Sequence, residues 1–181
     1  MPKEEKPRTR LIQQHEYDAV YHAALSQRPP YLAVMMELAY LCRMRMSETR
    51  LLKRSDLHEN GLLVRRAKGS KDEITLWSDR LRAAVTLAKS INRDTISPYL
   101  LHNANGKPIT TDQYKMASHR ALLKTGHKVM AGGKVVKQAE FTFHDIKAMG
   151  VTHHTQKASG HKTKKMEAVY DRLPSEVPPT R

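Results

Sequence analysis

The stretch YLAVMMELAYLCRMRMSETRLLKRSDL, residues 31–57, changes character halfway along. Its first twelve residues are apolar except for Glu37 and the hydroxyls of two tyrosines, and Leu32, Met35, Met36, Ala39 and Cys42 recur at the three-and-four spacing of a helix. A bilayer span needs about twenty apolar residues, and this run is shorter and carries a carboxylate. It predicts a helix buried in a protein core. Beyond it the chain turns basic: Arg45 stands in a connection, and Ser47 with Glu48 opens a short third helix through Lys53.

Upstream, IQQHEYDAVYHAALS (12–26) reads as a helix with Tyr17, Val20, Tyr21 and Ala24 on one face, ended by Arg-Pro-Pro at 28–30. Downstream, GLLVRRAKGSKDEITLW (61–77) places two alternating apolar runs around a Lys-Gly-Ser-Lys turn, the pattern of a β-hairpin with Lys68 at its tip. Helical patterns resume at 79–92 and 111–125, separated by a stretch containing HNANGKP. The basic, glycine-rich GHKVMAGGKVVKQA (126–139) predicts a mobile loop or an irregular hairpin. Two last helices, 144–158 and 163–172, precede the proline-rich end PSEVPPTR. The expected fold class is mainly α (α+β): helices with a small antiparallel sheet, as one domain over residues 11–175. Residues 1–10 are expected to be a disordered linker and residues 176–181 a short tail.

Lys and Arg number 32 against 18 Asp and Glu in 181 residues, a formal charge of +14 that points to a polyanionic partner, nucleic acid first. An anionic membrane is the competitor, and the absence of a spanning run argues against it. The N-terminal MPKEEKPRTR has charge and two prolines with no apolar segment after it, so it is not read as a signal peptide and a cytoplasmic setting is expected. The single cysteine, Cys42, lies in the apolar helix and reads as a small buried hydrophobe, with no disulfide framework.

Arg45, Lys68, His144, Lys147, His161 and Tyr170 are the candidate chemical groups. All but Tyr170 are or can become cationic, which suits transfer at a phosphodiester, where charge grows on non-bridging oxygens. A tyrosine can supply the attacking oxygen if positive neighbours or a base offset its pKa near 10. Each residue also has a plain reading. Tyr170 shares its spacing with Met166, Val169 and Leu173 and could be core; Arg45 could be a loop charge, Lys68 a turn residue, and the two histidines capping groups. A metal site drawn from His144, His153, His154 and His161 lacks ligand spacing, and no HExxH or nearby cysteine supports one. No Walker loop, GxSxG or paired-carboxylate motif is present, so an enzyme acting on DNA here is expected to work without divalent cations.

Order and spacing add what the single residues lack. LAYLCRMRMSETRLLKRSDL (38–57) resembles the first conserved box of the tyrosine recombinases, the phage integrase family, with Arg45-Met46-Ser47-Glu48 at its centre. RRAKGSKDEITLW looks like that family's hairpin, with Lys68 as its lysine. FTFHDIKAMGVT (141–152) resembles its His-x-x-Arg box, and SGHKTKKMEAVYDR its Leu-Gly-His element with a tyrosine nine residues on. The matches run in family order over residues 10 to 175. Two departures matter: Lys147 stands where the family has its second arginine, and a forked bidentate donor becomes a point charge. Lys147 and His161 are also closer in sequence than in many relatives.

The resemblance implies a catalytic domain with the fold shared by type IB topoisomerases, acting on double-stranded DNA without metal, ATP or other cofactor. It implies that Tyr170 forms a 3′-phosphotyrosyl link, that Arg45, Lys147 and His161 hold the non-bridging oxygens, that Lys68 protonates the leaving 5′ oxygen and that His144 assists proton transfer at the tyrosine. The family's N-terminal core-binding domain has no match in this chain, so a catalytic portion is expected, monomeric alone and tetrameric on DNA. Prophage or genomic-island integration is the expected setting. A catalytically weak DNA-binding relative and a topoisomerase-like relaxing enzyme are the alternatives. Periodicity alone favours packing for Tyr170, and its ordered company reverses that preference.

Overall fold

The computed structural model describes residues 11–66, 71–125, 128–131, 134–137, 141–154 and 175–180. Within them the chain runs through α1 (Gln14–Leu25), α2 (Tyr31–Leu41), α3 (Met46–Leu51), a 3-10 turn (Arg54–Asp56), β1 (Gly61–Val64), β2 (Glu73–Leu76), α4 (Asp79–Ser90), α5 (Thr111–Lys124), β3 (Lys128–Ala131), β4 (Lys134–Lys137), α6 (Phe143–His153) and β5 (Ser175–Val177).

The apolar run becomes the axis of the molecule. All eleven residues of α2 are buried, and α1, α3, α4, α5 and α6 all pack on it. A helix apolar all round has no other stable place in water, and each large apolar side chain it buries contributes roughly 1.5–3 kcal/mol. Glu37 would be expensive there alone. Its carboxylate accepts from the Tyr17 hydroxyl of α1 at 2.6 Å and from Nε and Nη2 of Arg80 on α4 at 2.5 and 2.7 Å. The same guanidinium lies 5.0 Å from the ring centre of Tyr40 and 5.9 Å from that of Tyr17. One buried charge thereby fixes the angles of three helices. On the opposite side α6 comes so close to α2 that a Cβ at Gly150 would stand 2.2 Å from the Tyr40 carbonyl oxygen.

The hairpin forms as expected, β1 antiparallel to β2 with Gly61 opposite Leu76 and Val64 opposite Glu73. Its tip, 67–70 with Lys68, lies outside the described residues. Within the basic 126–139 stretch β3 and β4 pair antiparallel, Lys128 opposite Lys137, which is the hairpin of the two readings. The C-terminal end holds an element that the proline-rich composition hides: β5 adds parallel to β2, with Glu73 opposite Ser175 and Thr75 opposite Val177. Just beyond it Thr180 donates to the Leu41 and Gly150 carbonyls, and His154 donates to the Pro178 carbonyl at 2.6 Å. The predicted helix 144–158 is observed as Phe143–His153 and ends at His154, whose backbone is extended; residues 155–158 and the helix predicted at 163–172 lie outside the described residues. Residues 1–10, read as a linker, lie outside them too. No helix among the described residues is long and apolar enough to cross a membrane.

Candidate active site

Three of the six candidate residues meet in one cleft of about 610 Å³, lined by Arg45, Ser47, His144 and Lys147 and walled by Met46, Tyr114, Phe141 and Phe143. Lys68, His161 and Tyr170 lie outside the described residues.

Arg45 reaches the cleft from the N-cap of α3 with extended backbone, φ −76° and ψ 161°. An arginine cannot cap a helix as serine does, so Glu48 at the third helical position supplies the bond instead. Its Oε2 accepts from the Arg45 backbone N–H at 2.6 Å and its Oε1 from Arg45 Nη1 at 2.8 Å. The arginine is thus held at backbone and guanidinium by one carboxylate, its side chain still 26% exposed and open to a further anion. Burial alone would push the Glu48 carboxyl up, but the Arg45 bonds and the charges of Arg66 and Lys147 outweigh it and leave the pKa below the ordinary glutamate value.

His144 and Lys147 come from the first turn of α6 and its continuation, three residues apart and therefore on one face. The helix start is fixed by Asp145, which accepts from the Thr142 backbone N–H at 2.7 Å and from its hydroxyl at 2.8 Å. His144 is exposed. Lys147 is 6% exposed, on the same face as Phe143, Ile146 and Gly150. Burial, then the neighbouring charges of Arg45 and Arg66, lower its pKa from the ordinary 10.5 to about 8, with Glu48 and Glu73 pulling the other way. The apolar walls, where Tyr114 meets Phe143 edge to face at 5.5 Å, reduce the screening of these charges by water.

The donors converging here are cations and an imidazole, which is the chemistry of an anion site. Among the described residues no group of three His, Cys, Asp or Glu side chains could hold a metal ion. His153 lies 3.0 Å from the Tyr40 hydroxyl, and His154 is bonded to Pro178. Cys42 is fully buried and its thiol is pushed up to about 11, chiefly by that burial, so the plain reading of this cysteine agrees with its surroundings.

Sequence reasoning missed the layer behind the cleft. Arg43, Arg66 and Glu73 are all buried, with Arg43 at φ 52° immediately after α2. One signal was available: Lys147 falls on the apolar period of α6, and a charge on a buried face requires charged company. Nothing in the sequence says that the company comes from the hairpin.

A sequence profile described as the phage integrase family matches residues 10–175. No curated protein matches the chain by sequence. The fold is similar to the lambda integrase catalytic core, at 22% identity with a TM-score of 0.63, covering 84% of this chain and 90% of that one. It is also similar to the lambda integrase tetramer bound to a Holliday junction (19% identity, TM-score 0.66, 93% of this chain and 51% of that one). A third likeness is to XerA recombinase, at 17% identity and TM-score 0.61, over 81% of this chain and 50% of that one. This chain spans nearly all of a catalytic core, and half the length of the two longer proteins. With the family profile matched over residues 10–175, and Arg45, His144 and Lys147 gathered in one cleft, the chain belongs to the phage integrase family and has the fold of a tyrosine recombinase catalytic domain.

Proposed function

We propose that this protein is a site-specific DNA strand transferase that breaks and rejoins double-stranded DNA through a 3′-phosphotyrosyl intermediate, in prophage or genomic-island integration within a bacterial cytoplasm. The observation that carries the reading is the convergence of Arg45, His144 and Lys147 on one half-apolar cleft in a chain of this family. Tyr170 Oη attacks the scissile phosphorus as the bond to O5′ breaks. Lys68 gives its proton to that leaving oxygen, and His144 receives the tyrosine proton or passes it to water. Arg45, Lys147 and His161 hold the non-bridging oxygens, whose charge grows in the transition state, where preorganised donors are worth most. The link stores the phosphodiester energy, and a 5′-hydroxyl from another strand reverses the step.

The charge of +14 supports a DNA partner, as do the DNA-bound complexes among the similar structures. The working assembly is a homotetramer on DNA, the chain alone a monomer, and residues 11–175 the catalytic unit. The test is a denaturing-gel assay for a covalent protein–DNA adduct in EDTA, on supercoiled DNA from the genome that carries this chain. An adduct in the parent that is lost in Tyr170→Phe, while DNA binding and fold persist, is the expected result. An adduct still formed by the Phe variant removes Tyr170 from the role.

A further inference from the structure

Behind the cleft, the guanidinium of Arg66 ties three parts of the chain together. Arg66 follows β1 by two residues, and its backbone N–H donates to Asp72 at 2.8 Å. Its Nη2 donates to Glu73 at 2.6 Å, across the hairpin, and to the Cys42 carbonyl at 3.1 Å. Its Nη1 donates to the Arg43 carbonyl at 2.8 Å and to Glu48 Oε2 at 3.2 Å. The two carbonyls belong to the turn that leads into Arg45, and Glu48 is the carboxylate that holds Arg45. Arg66 therefore grips the phosphate-facing arginine from both sides without touching the cleft.

Glu73 is shared. Besides Arg66 it faces Arg43 Nη2 at 3.6 Å, and the side chains of Arg43 and Arg66 are both 0% exposed. Among the described residues Nε of both guanidinium groups and Nη2 of Arg43 have no hydrogen-bond partner. Among the described residues four cations, Arg43, Arg45, Arg66 and Lys147, thus gather on two carboxylates, Glu48 and Glu73. A cluster seeking only stability would match its charges, since an uncompensated buried charge is costly. The excess is carried by Arg45 and Lys147, the two that line the cleft, where an incoming anion can balance it.

We infer that Arg66 and Glu73 are positioning residues of the strand-transfer site, a buried cross-strand pair that locks the β-hairpin to the turn before Arg45 and sets where Arg45 and Lys147 present their charge. This rests on the proposed phosphoryl-transfer reading, which it deepens. Among the described residues, the charges that act on Lys147 are Arg45 and Glu48 from α3, and Arg66 and Glu73 from the hairpin. Tyr114, Lys115 and His119 of α5 line the same cleft, and His144 and Asp145 precede it on α6. Of the hairpin pair, Arg66 opposes a proton on Lys147 and Glu73 favours one.

The test is an NMR titration of protein carrying 13Cε-labelled lysine, without DNA, with the Lys147 signal identified by its loss in Lys147→Arg. The midpoint for Lys147 should move up in Arg66→Gln and down in Glu73→Gln. Loosening of the fold, which admits water, would move both upward toward the ordinary lysine value, and that common direction, or no movement in either, overturns the inference. Arg66→Lys keeps the charge and loses the fork, so it stands in if a glutamine variant does not fold. Its midpoint should stay at the parental value while adduct formation falls about 10²-fold, the loss expected when reacting groups shift by about an ångström. Full adduct formation by Arg66→Lys would also overturn the inference. Opposed shifts in a protein that never forms an adduct would instead remove the strand-transfer reading and leave the electrostatic network standing.

Discussion

Lys147 concentrates the consequences of a single residue. Its pKa of about 8 lies below the ordinary 10.5, chiefly through burial, so the folded protein releases this proton before the unfolded chain does. Below about pH 8 the lysine is charged in both states and burial of that charge costs stability. Between about 8 and 10.5 the unfolded chain binds more protons, so stability rises with pH relative to a protein without the group. The urea midpoint of the parent, measured against Lys147→Met, should gain on the variant across that window and hold a constant offset below it. The proposed role of Lys147 at the phosphate runs in the opposite sense, because the neutral amine loses the charge that favours a phosphate oxygen. DNA adduct formation should fall as pH rises through the lysine pKa, which bound phosphate will itself raise, and Lys147→Arg should remove that limb and keep or increase the yield. Arg45, His144 and Lys147 were legible in the sequence because ordered spacing marks them. Arg43, Arg66 and Glu73 were not, since their meaning depends on which strand end meets which turn, and that is a property of tertiary packing.

Among the elements, α2 was the most legible, its apolar run having one physical outcome in water. Glu37 within it was readable as a buried carboxylate, yet its partners Tyr17 and Arg80 lie 20 and 43 residues away in opposite directions and carry no local signal. The crossing of α2 and α6 depends on Gly150, where an added methyl meets the Tyr40 carbonyl, a backbone atom that cannot swing aside. Gly150→Ala should lower stability by about 1–3 kcal/mol, the usual penalty of overpacking, even though alanine is the better helix former. A denaturant melt decides it, and an unchanged or raised midpoint would mean that the two helices can separate at little cost. Because Lys147 lies one turn from Gly150 on α6, the same variant should also weaken DNA binding. The hairpin at 61–77 was read from its alternation and turn residues, which are local. The third strand of its sheet was not, because β5 is only three residues long and a parallel partner leaves no turn to recognise.

For the whole molecule, composition and charge pointed to a polyanionic partner before any motif did. A formal charge of +14 over 181 residues predicts DNA binding whose affinity falls steeply with salt, by about 0.9 in the log–log slope for each phosphate neutralised. A titration from 50 to 200 mM salt that left affinity unchanged would argue against a backbone-contacting DNA protein. The sheet carries a further consequence at this scale. β2 is the central strand, bordered by β1 on one side and by β5 on the other. Ending the chain at residue 174 would strip the second border and bare that edge of Glu73–Thr75. An open strand of that kind is a template for any chain able to lie beside it. The shortened protein should therefore self-associate with rising concentration, and a peptide of residues 175–181 should reverse the association by occupying the vacated edge. Residues 175–177 thus do for the sheet what a lid does for a seam: three short pairings close an edge that would otherwise be open.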